Sequence, residues 1–248
     1  MIADIATPRP GLGAPIVLGG QGVNKRLDAA RRLVSWADCR VADIGCGNGA
    51  YTEVIAEDAA SVVGLDLQTD FLRPFRERVE FSENRLEVAC AAAESLPLRS
   101  NSIDGAFCIE TLEHVTDDVR GLSELHRIVK PGGFVVLTVP NKWFIFETHG
   151  LRGGPISGNR IPLVSWLPRS IHSRIAAARI YTNGQIRNLV EEAGFVDVRV
   201  DYVMPPLDKV VVPALRRLLR GLVQLVERGP LRRFGVSLVV CARKPALP

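Results

Sequence analysis

An α/β fold, with strands and helices alternating around an open sheet, is what the sequence predicts, and three stretches predict it. Val41-Ala42-Asp43-Ile44-Gly45-Cys46-Gly47-Asn48-Gly49 reads as a short buried strand that ends on an acid. It turns through three alternating glycines into a helix opening at about Ala50. Ser61-Val62-Val63-Gly64-Leu65-Asp66 repeats the pattern of a buried strand with an acid at its tip. Asp117 to Val129 carries Val119, Leu122, Leu125, Ile128 and Val129 at helical spacing and stops at Lys130-Pro131-Gly132-Gly133. Proline and paired glycines make a sharp turn there into the strand Phe134 to Val139.

The glycine loop is the first candidate site. Glycine at 45, 47 and 49 permits positive φ and leaves no Cβ between a ligand and the main chain. The N–H groups at the start of the following helix favour a carboxylate or phosphate, so the loop suits a small, partly anionic cofactor. As G-x-G-x-x-A, Gly45 to Ala50 fits a dinucleotide fingerprint. Asp43 to Gly49 also closely resembles the first motif of class I S-adenosylmethionine (SAM) methyltransferases. SAM carries an ammonium and a sulfonium, which the acid at Asp43 suits, whereas a pyrophosphate would be repelled by it. The resemblance implies that Asp43, Gly45, Gly47 and Gly49, with Cys46 and Asn48 in the same loop, hold the methionyl end.

The next elements extend both readings. Asp66 lies 21 residues after Gly45 and can accept two ribose hydroxyls, each charged hydrogen bond being worth about 1.5–3 kcal/mol. NAD enzymes use the same device, so Asp66 supports a nucleoside cofactor without naming it; a helix N-cap is its other reading. Leu67 can pack on the base or ribose. Arg85 to Cys90 suggests a third strand. Ala92-Ala93-Glu94-Ser95-Leu96-Pro97-Leu98 then resembles the D-A-E-x-L-P-F segment of the type 11 methyltransferase group, which implies base contacts around Ala93 and Glu94. Here Ala92 replaces the acid that the family directs at the adenine amino group.

Asn101 to Glu110 is a turn and a buried strand, followed by Thr111-Leu112-Glu113-His114-Val115. This resembles the family motif F-D-x-V-x-x-x-x-x-x-E-H-V, whose strand end, here Ile109 and Glu110, lies beneath the transferring methyl. His114 is the candidate general base, since an imidazole pKa near ~6.5 suits a hydroxyl or phenol nucleophile. Its bland reading is a helix-start histidine bonded to a carbonyl. Val129 to Phe134 matches the family's L-K-P-G-G-x-hydrophobic turn, which dinucleotide dehydrogenases have no reason to carry.

Beyond Pro140-Asn141 the chain leaves the core for about 40 residues. Trp143, Phe144 and Phe146 cluster around His149, and Ile161 to Arg179 adds Trp166 and several arginines. An excursion from the carboxyl ends of strands is a natural substrate lid, with His149 and Glu147 as alternative bases. Asn183 to Ala193 reads as a helix, Val196 to Val203 as a sixth strand and Phe234 to Ala242 as a seventh. Asn24 to Ala37 reads as a helix before the first strand, covering the core or closing the cofactor pocket.

Composition is that of a globular protein, 47% apolar and 23% charged. Five cysteines (Cys39, Cys46, Cys90, Cys108, Cys241) are scattered without metal-like spacing, and no metal is expected. No signal peptide is evident, nor a stretch of ~18 apolar residues, so a reduced cytoplasmic setting is expected. The net charge of +4 conceals a basic tail, with nine Lys/Arg against two acids from Asp208 to Pro248. Within it, residues 214–226 place Leu215, Leu218, Leu219, Leu222, Val223 and Val226 on one helical face, opposite Arg216, Arg217 and Arg220. That helix either packs across the lid or lies on an anionic membrane. Aromatics are not interleaved with the arginines, and the stretch does not read as a nucleic-acid interface.

Taken together, residues 24–248 resemble a class I SAM-dependent methyltransferase after an irregular segment 1–23. The resemblance implies a Rossmann-like, seven-stranded, mostly parallel sheet with helices on both faces and an antiparallel last strand. Insertions at about 141–180 and 204–233 would form the lid. It implies in-line methyl transfer to a small, hydrophobic acceptor: O- or C-methylation of a lipid, quinone or natural-product intermediate. A soluble metabolite, or SAM binding without turnover, are the alternatives.

Overall fold

A computed structural model describes residues 21–79, 85–152, 162–205, 221, 223, 226, 227 and 229–246. Of the irregular segment expected at 1–23, residues 1–20 lie outside the described residues and 21–23 are helical instead, as the start of the first helix; most of the basic helix expected at 214–226 also lies outside the described residues. The strands are β1 (Arg40–Ile44), β2 (Ser61–Asp66), β3 (Leu86–Cys90), β4 (Ile103–Ile109), β5 (Val129–Pro140), β6 (Val196–Val203) and β7 (Ser237–Arg243). They form one seven-stranded sheet in the order β3-β2-β1-β4-β5-β7-β6. β1 to β5 pair in parallel, and β7 runs antiparallel between β5 and β6.

The sheet is buried on both faces, which is why its central strands read as continuous apolar runs. Alternate residues serve two cores. Ala42, Ile44, Val63, Leu65, Ala106, Cys108, Val135 and Leu137 pack with Leu122, Leu125 and Ile128 of α4 (Asp118–Ile128) and Ile186 and Val190 of α6 (Asn183–Glu192). Val41, Val62, Phe107, Ile109 and Val136 face the other way, onto Leu27 and Ala30 of α1 (Gln21–Arg31) and Ile55 of α2 (Ala50–Ala56). Capping agrees with the sequence: Asp117 accepts from the Arg120 N–H, and Thr182 forms a capping box with Gln185.

Several elements differ from expectation. α1 ends at Arg31 rather than near Ala37; the chain turns after it and takes a left-handed φ of 59° at Asp38. α3 (Thr69–Val79) is not evident from the sequence pattern, because its arginines and internal Pro74 mask a short apolar stripe of Phe71, Leu72 and Phe75. β5 starts at Val129, and residues 130–133 loop out of its pairing with β4 as a bulge: Ile103 faces Val129, then Gly105 faces Phe134. Within the lid excursion lies α5 (Arg169–Ile175).

Two long excursions leave the sheet where the C-terminal end of β5 meets β7. Asn141, 2% exposed, ties their roots together, its Nδ2 donating to the carbonyls of Arg233 (2.8 Å) and Gly235 (2.7 Å). The N–H of Asn141 donates to the Val236 carbonyl.

Inside the second core, Trp36, Phe107 and Phe134 stack edge to face at 5.2 and 6.1 Å. Gly105 makes room for the last ring, since a Cβ there would lie 2.2 Å from Phe134 Cζ. Gly105→Ala should therefore destabilise the fold by about 1–3 kcal/mol through overpacking. Urea unfolding with an unchanged m-value reads this directly, and a midpoint equal to wild type would show that the ring yields freely.

Candidate functional site

The carboxyl ends of β1, β2 and β4 converge on a cavity of about 500 Å³. Its floor is the glycine loop, fixed to β2 by Gly45 N–H and Cys46 N–H donating to the Leu65 carbonyl at 2.6 and 3.1 Å. Gly45 has φ of 78°, and a Cβ on it would sit 2.1 Å from Thr111 Oγ1, so two loops can meet only over a glycine. Gly47 has φ of 53°, and a Cβ on it would have nothing within 4 Å, so its main chain is open to the cavity. Asp66 binds this loop as well as facing the cavity. Its Oδ2 accepts from Gly47 N–H and its Oδ1 from Gln68 N–H, both at 2.8 Å. Burial raises the Asp66 pKa, against the pull of those backbone donors.

Gly45, Cys46, Gly47, Asn48, Asp66, Leu67, Ala93, Glu94, Ile109 and Glu110 all line the cavity, as expected from the sequence. Asp43 and Gly49 do not. Asp43 is 1% exposed beneath the loop, where its Oδ2 accepts the Thr52 hydroxyl at 2.6 Å and props the turn from below. Burial pushes its pKa up to about 7, against the Thr52 hydrogen bond. Gly49 packs against Phe75, whose ring would lie 2.3 Å from a Cβ. Glu94 also accepts the N–H groups of Thr116 (2.7 Å) and Asp117 (3.3 Å). Tyr51 and Phe71 also line the cavity. Phe71 is hidden in the sequence along with α3; Tyr51, one residue into the helix after the loop, is legible from its position.

A second cavity of about 660 Å³ lies between residues 113–116 and the lid, and shares His114, Val115 and Thr116 with the first. Burial and the neighbouring His149 lower the His114 pKa to about 4, which leaves the ring neutral near pH 7. His149 lines neither cavity but stands behind His114, ring centroids 4.9 Å apart. Its Nε2 lies 3.3 Å from Glu113 Oε1 and 4.0 Å from Glu110 Oε2, and its Nδ1 is 2.9 Å from Thr148 Oγ1. Burial pulls the His149 pKa down, but Glu113, Glu110 and Glu147 outweigh it and raise it. Glu147 is engaged by His172 at 2.7 Å and by the His149 N–H, so it is no free base.

Glu110 lines the first cavity directly after β4, with a left-handed φ of 51°. Arg26 of α1 pairs with it at 3.2 Å and donates to Ser237 Oγ of β7 at 2.9 Å. Despite burial, Arg26 and His149 hold the Glu110 pKa low. Sequence reasoning misses Arg26, because its partners come together only through the sheet.

The lid departs from expectation. Trp143, Ile145, Phe146 and Trp166 are exposed and line neither cavity; the second cavity instead carries Lys142, Arg152, Arg169 and Arg179 beside Ala176, Ala177 and Ala178.

A doubly covered parallel sheet with a reversed seventh strand, and a glycine loop and carboxylate facing one cavity, make up the class I SAM-dependent methyltransferase fold. Residues 42–137 match the family model described as "Methyltransferase domain". Among curated proteins, the ubiquinone biosynthesis O-methyltransferase of Ruegeria pomeroyi is 28% identical over 173 residues, 69% of this chain and 66% of that protein. The protein of the same name from Aromatoleum aromaticum is 30% identical over 155 residues, 62% and 64% of the two chains. The chain thus spans just under two thirds of these relatives. A SAM-dependent methyltransferase from Mesorhizobium loti superposes with a TM-score of 0.62 at 22% identity, covering 90% of this chain and all (100%) of that one. A possible histamine N-methyltransferase from Thermotoga maritima gives 0.61 at 19% identity, over 90% and 89%. SAM is the cofactor of this class, and the open main chain at Gly47 beside the Asp66 carboxylate fits it.

Asp66→Ala removes a cavity carboxylate and frees the Gly47 N–H. It should weaken binding of the product S-adenosylhomocysteine (SAH) more than tenfold by calorimetry; unchanged affinity would remove Asp66 from the site. Asp43 predicts a pH effect on the ligand-free protein. Its pKa is 3.8 when unperturbed and about 7 in the fold, so across that window the unfolded chain has lost a proton the native state keeps. Stability should fall as pH rises through the window, and Asp43→Asn should flatten the profile. Parallel thermal-melt profiles for the two proteins would refute this.

Proposed function

We propose that this protein is a SAM-dependent O-methyltransferase whose acceptor is a hydroxyl on a small aromatic, quinone-precursor-like molecule carrying a hydrophobic tail. The carrying observation is that the cofactor cavity and a second cavity meet at His114, Val115 and Thr116, so a cofactor and an acceptor share one wall. Bound SAM supplies an electrophilic methyl to an oxygen nucleophile. The glycine loop and Asp66 hold the cofactor, and Glu94 fixes the 116–117 segment of the shared wall through its backbone bonds. His114, in the wall that both cavities share, is the side chain placed to accept the acceptor's hydroxyl proton. Alignment of two bound reactants can by itself supply about 7–11 kcal/mol.

The names of the curated relatives support a quinone-related acceptor. The exposed lid apolar residues support a lipid-borne one. Trp166 Nε1 donates to the Trp143 carbonyl and Leu163 N–H to the Ile145 carbonyl, which gathers Trp143, Ile145, Leu163 and Trp166 into one outward patch. Such a patch suits contact with a membrane surface. A second reading rests on the four cations of the second cavity. Arg169 has no partner among the described residues and, after burial, is what lowers the Lys142 pKa. A cation left unpaired in this way favours a soluble acceptor with an anionic group.

Methyl transfer from labelled SAM to a prenylated catechol in liposomes, beside transfer to a soluble catechol carboxylate, separates the two. Preference for the first supports the lipid reading, and preference for the second, lost in Arg169→Glu, supports the anionic one. SAH binding with transfer to neither would reduce the protein to a SAM-binding module. His114→Ala should lower kcat about 10²-fold while SAH affinity stays within twofold. Full turnover in that variant would make the histidine structural.

A further inference from the structure

Residues 114–116, between the end of β4 and the start of α4, line both cavities and belong to no helix or strand. The backbone groups of this wall must therefore find partners outside any regular ladder. Two charged side chains supply them from opposite sides. In the peptide unit that joins Val115 to Thr116, the carbonyl accepts from Arg179 Nη1 and the N–H donates to Glu94 Oε1 at 2.7 Å. In the next unit, Thr116 to Asp117, the carbonyl accepts from Arg179 Nη2 at 2.6 Å. Its N–H donates to the same Glu94 oxygen at 3.3 Å. Two successive peptides thus lie between one guanidinium and one carboxylate. Each turns its positive end to the carboxylate and its negative end to the guanidinium, and hydrogen bonds to charged groups are roughly twice as strong as neutral ones.

The two grips come from different cavities. Glu94 lines the cofactor cavity and not the second; Arg179 lines the second and not the first. Arg179 stands at the end of the first excursion, where the chain is fastened back to β5. Tyr181 N–H donates to the Pro140 carbonyl at 3.0 Å, and Lys142 N–H to the Tyr181 carbonyl at 2.9 Å. The same short stretch meets the wall at both ends. Arg179 N–H donates to the Glu113 carbonyl at 3.1 Å, and the Tyr181 hydroxyl donates to Asp118 Oδ2 at 2.9 Å. The guanidinium therefore acts from a fixed base on a segment that has no regular structure of its own.

We propose that Arg179 is a positioning residue for the cofactor site: from the far side of the wall it fixes the 115–117 backbone against Glu94, and so sets a cofactor-facing surface that it does not itself line. The fork of the guanidinium is what the task needs. Two of its nitrogens span two adjacent carbonyls, whereas a lysine ammonium is a single point charge. The arrangement also links the two cavities. An acceptor that steadies Arg179 raises cofactor affinity by the same factor as the cofactor raises the acceptor's, and one that draws the guanidinium off the carbonyls lowers both. That second consequence rests on the acceptor reading of the second cavity, whereas the grip on the wall rests on the hydrogen bonds alone.

The test is SAH binding to the full chain by calorimetry, with urea unfolding of each variant beside it. Arg179→Gln and Arg179→Lys should each weaken SAH about five- to tenfold in folded protein, lysine failing to substitute because it cannot span both carbonyls. In a Glu94→Ala background the wall has already lost its other grip. There Arg179→Gln should change SAH affinity by less than about twofold more, the non-additivity expected of groups in one network. A side chain that serves only the stability of the fold would lower the urea midpoint and leave the SAH affinity of the folded protein unchanged. If Arg179→Gln does not fold, Arg179→Lys carries the test, alone and with Glu94→Ala. Wild-type SAH affinity in folded Arg179→Lys, or losses that add in full in the double variant, overturns the assignment while SAH binding by wild type leaves the methyltransferase reading intact. A wild-type protein that binds no SAH overturns that reading, and this one with it.

Discussion

The pairing of Arg26 with Glu110 holds the working end of the molecule together. It is buried, and it adds a polar tie among three parts of the fold that apolar packing and strand pairing already bring together: α1, the end of β4 and, through Ser237, β7. Glu110, the first residue after β4, has a left-handed backbone, a conformation that a glutamate adopts only when its surroundings enforce it. The turn it makes sends the chain toward Glu113 and His114, so the position of the shared wall depends on this ion pair. Removing one partner of such a buried pair typically costs about 3–5 kcal/mol, because the other is left charged and unpaired.

Parallel pairing supplies the rest of the plan. Because β1, β2 and β4 run in the same direction, their ends gather the glycine loop, Asp66 and Glu110 at one edge of the sheet. The residues at that edge then divide by burial. Asp66 stays in the cavity and reaches back to the loop, while Asp43 lies beneath it as a near-neutral acid. An acid just before a glycine turn can thus act through the shape of the turn without touching a ligand.

Much of this is legible in the sequence where local chemistry dictates structure. The bounds of β2 and β6 follow from their apolar patterns, and ten of the expected cofactor residues line the cavity because loop and strand ends lie close in sequence. What is not legible is what the sheet brings together. Arg26 meets Glu110, and His149 meets Glu113, only after β4, β5 and the lid have found their places. α3 escapes a pattern reading because arginines dilute its apolar stripe, with Pro74 interrupting it. The lid differs from expectation for another reason: an aromatic cluster can face either way, and nothing in Trp143 to Phe146 says that its rings point outward while cations point in.

Asn141 has a further consequence. Its side-chain amide holds the roots of both excursions with two short bonds to the backbone at Arg233 and Gly235, and neither bond depends on what lies further out along either loop. The two segments thus share one fastening at their roots, and the first is tied as well to the wall between the cavities, where the Arg179 N–H donates to the Glu113 carbonyl. A disturbance at Asn141 is therefore felt at both roots at once and, through the first segment, at the wall that the two cavities share.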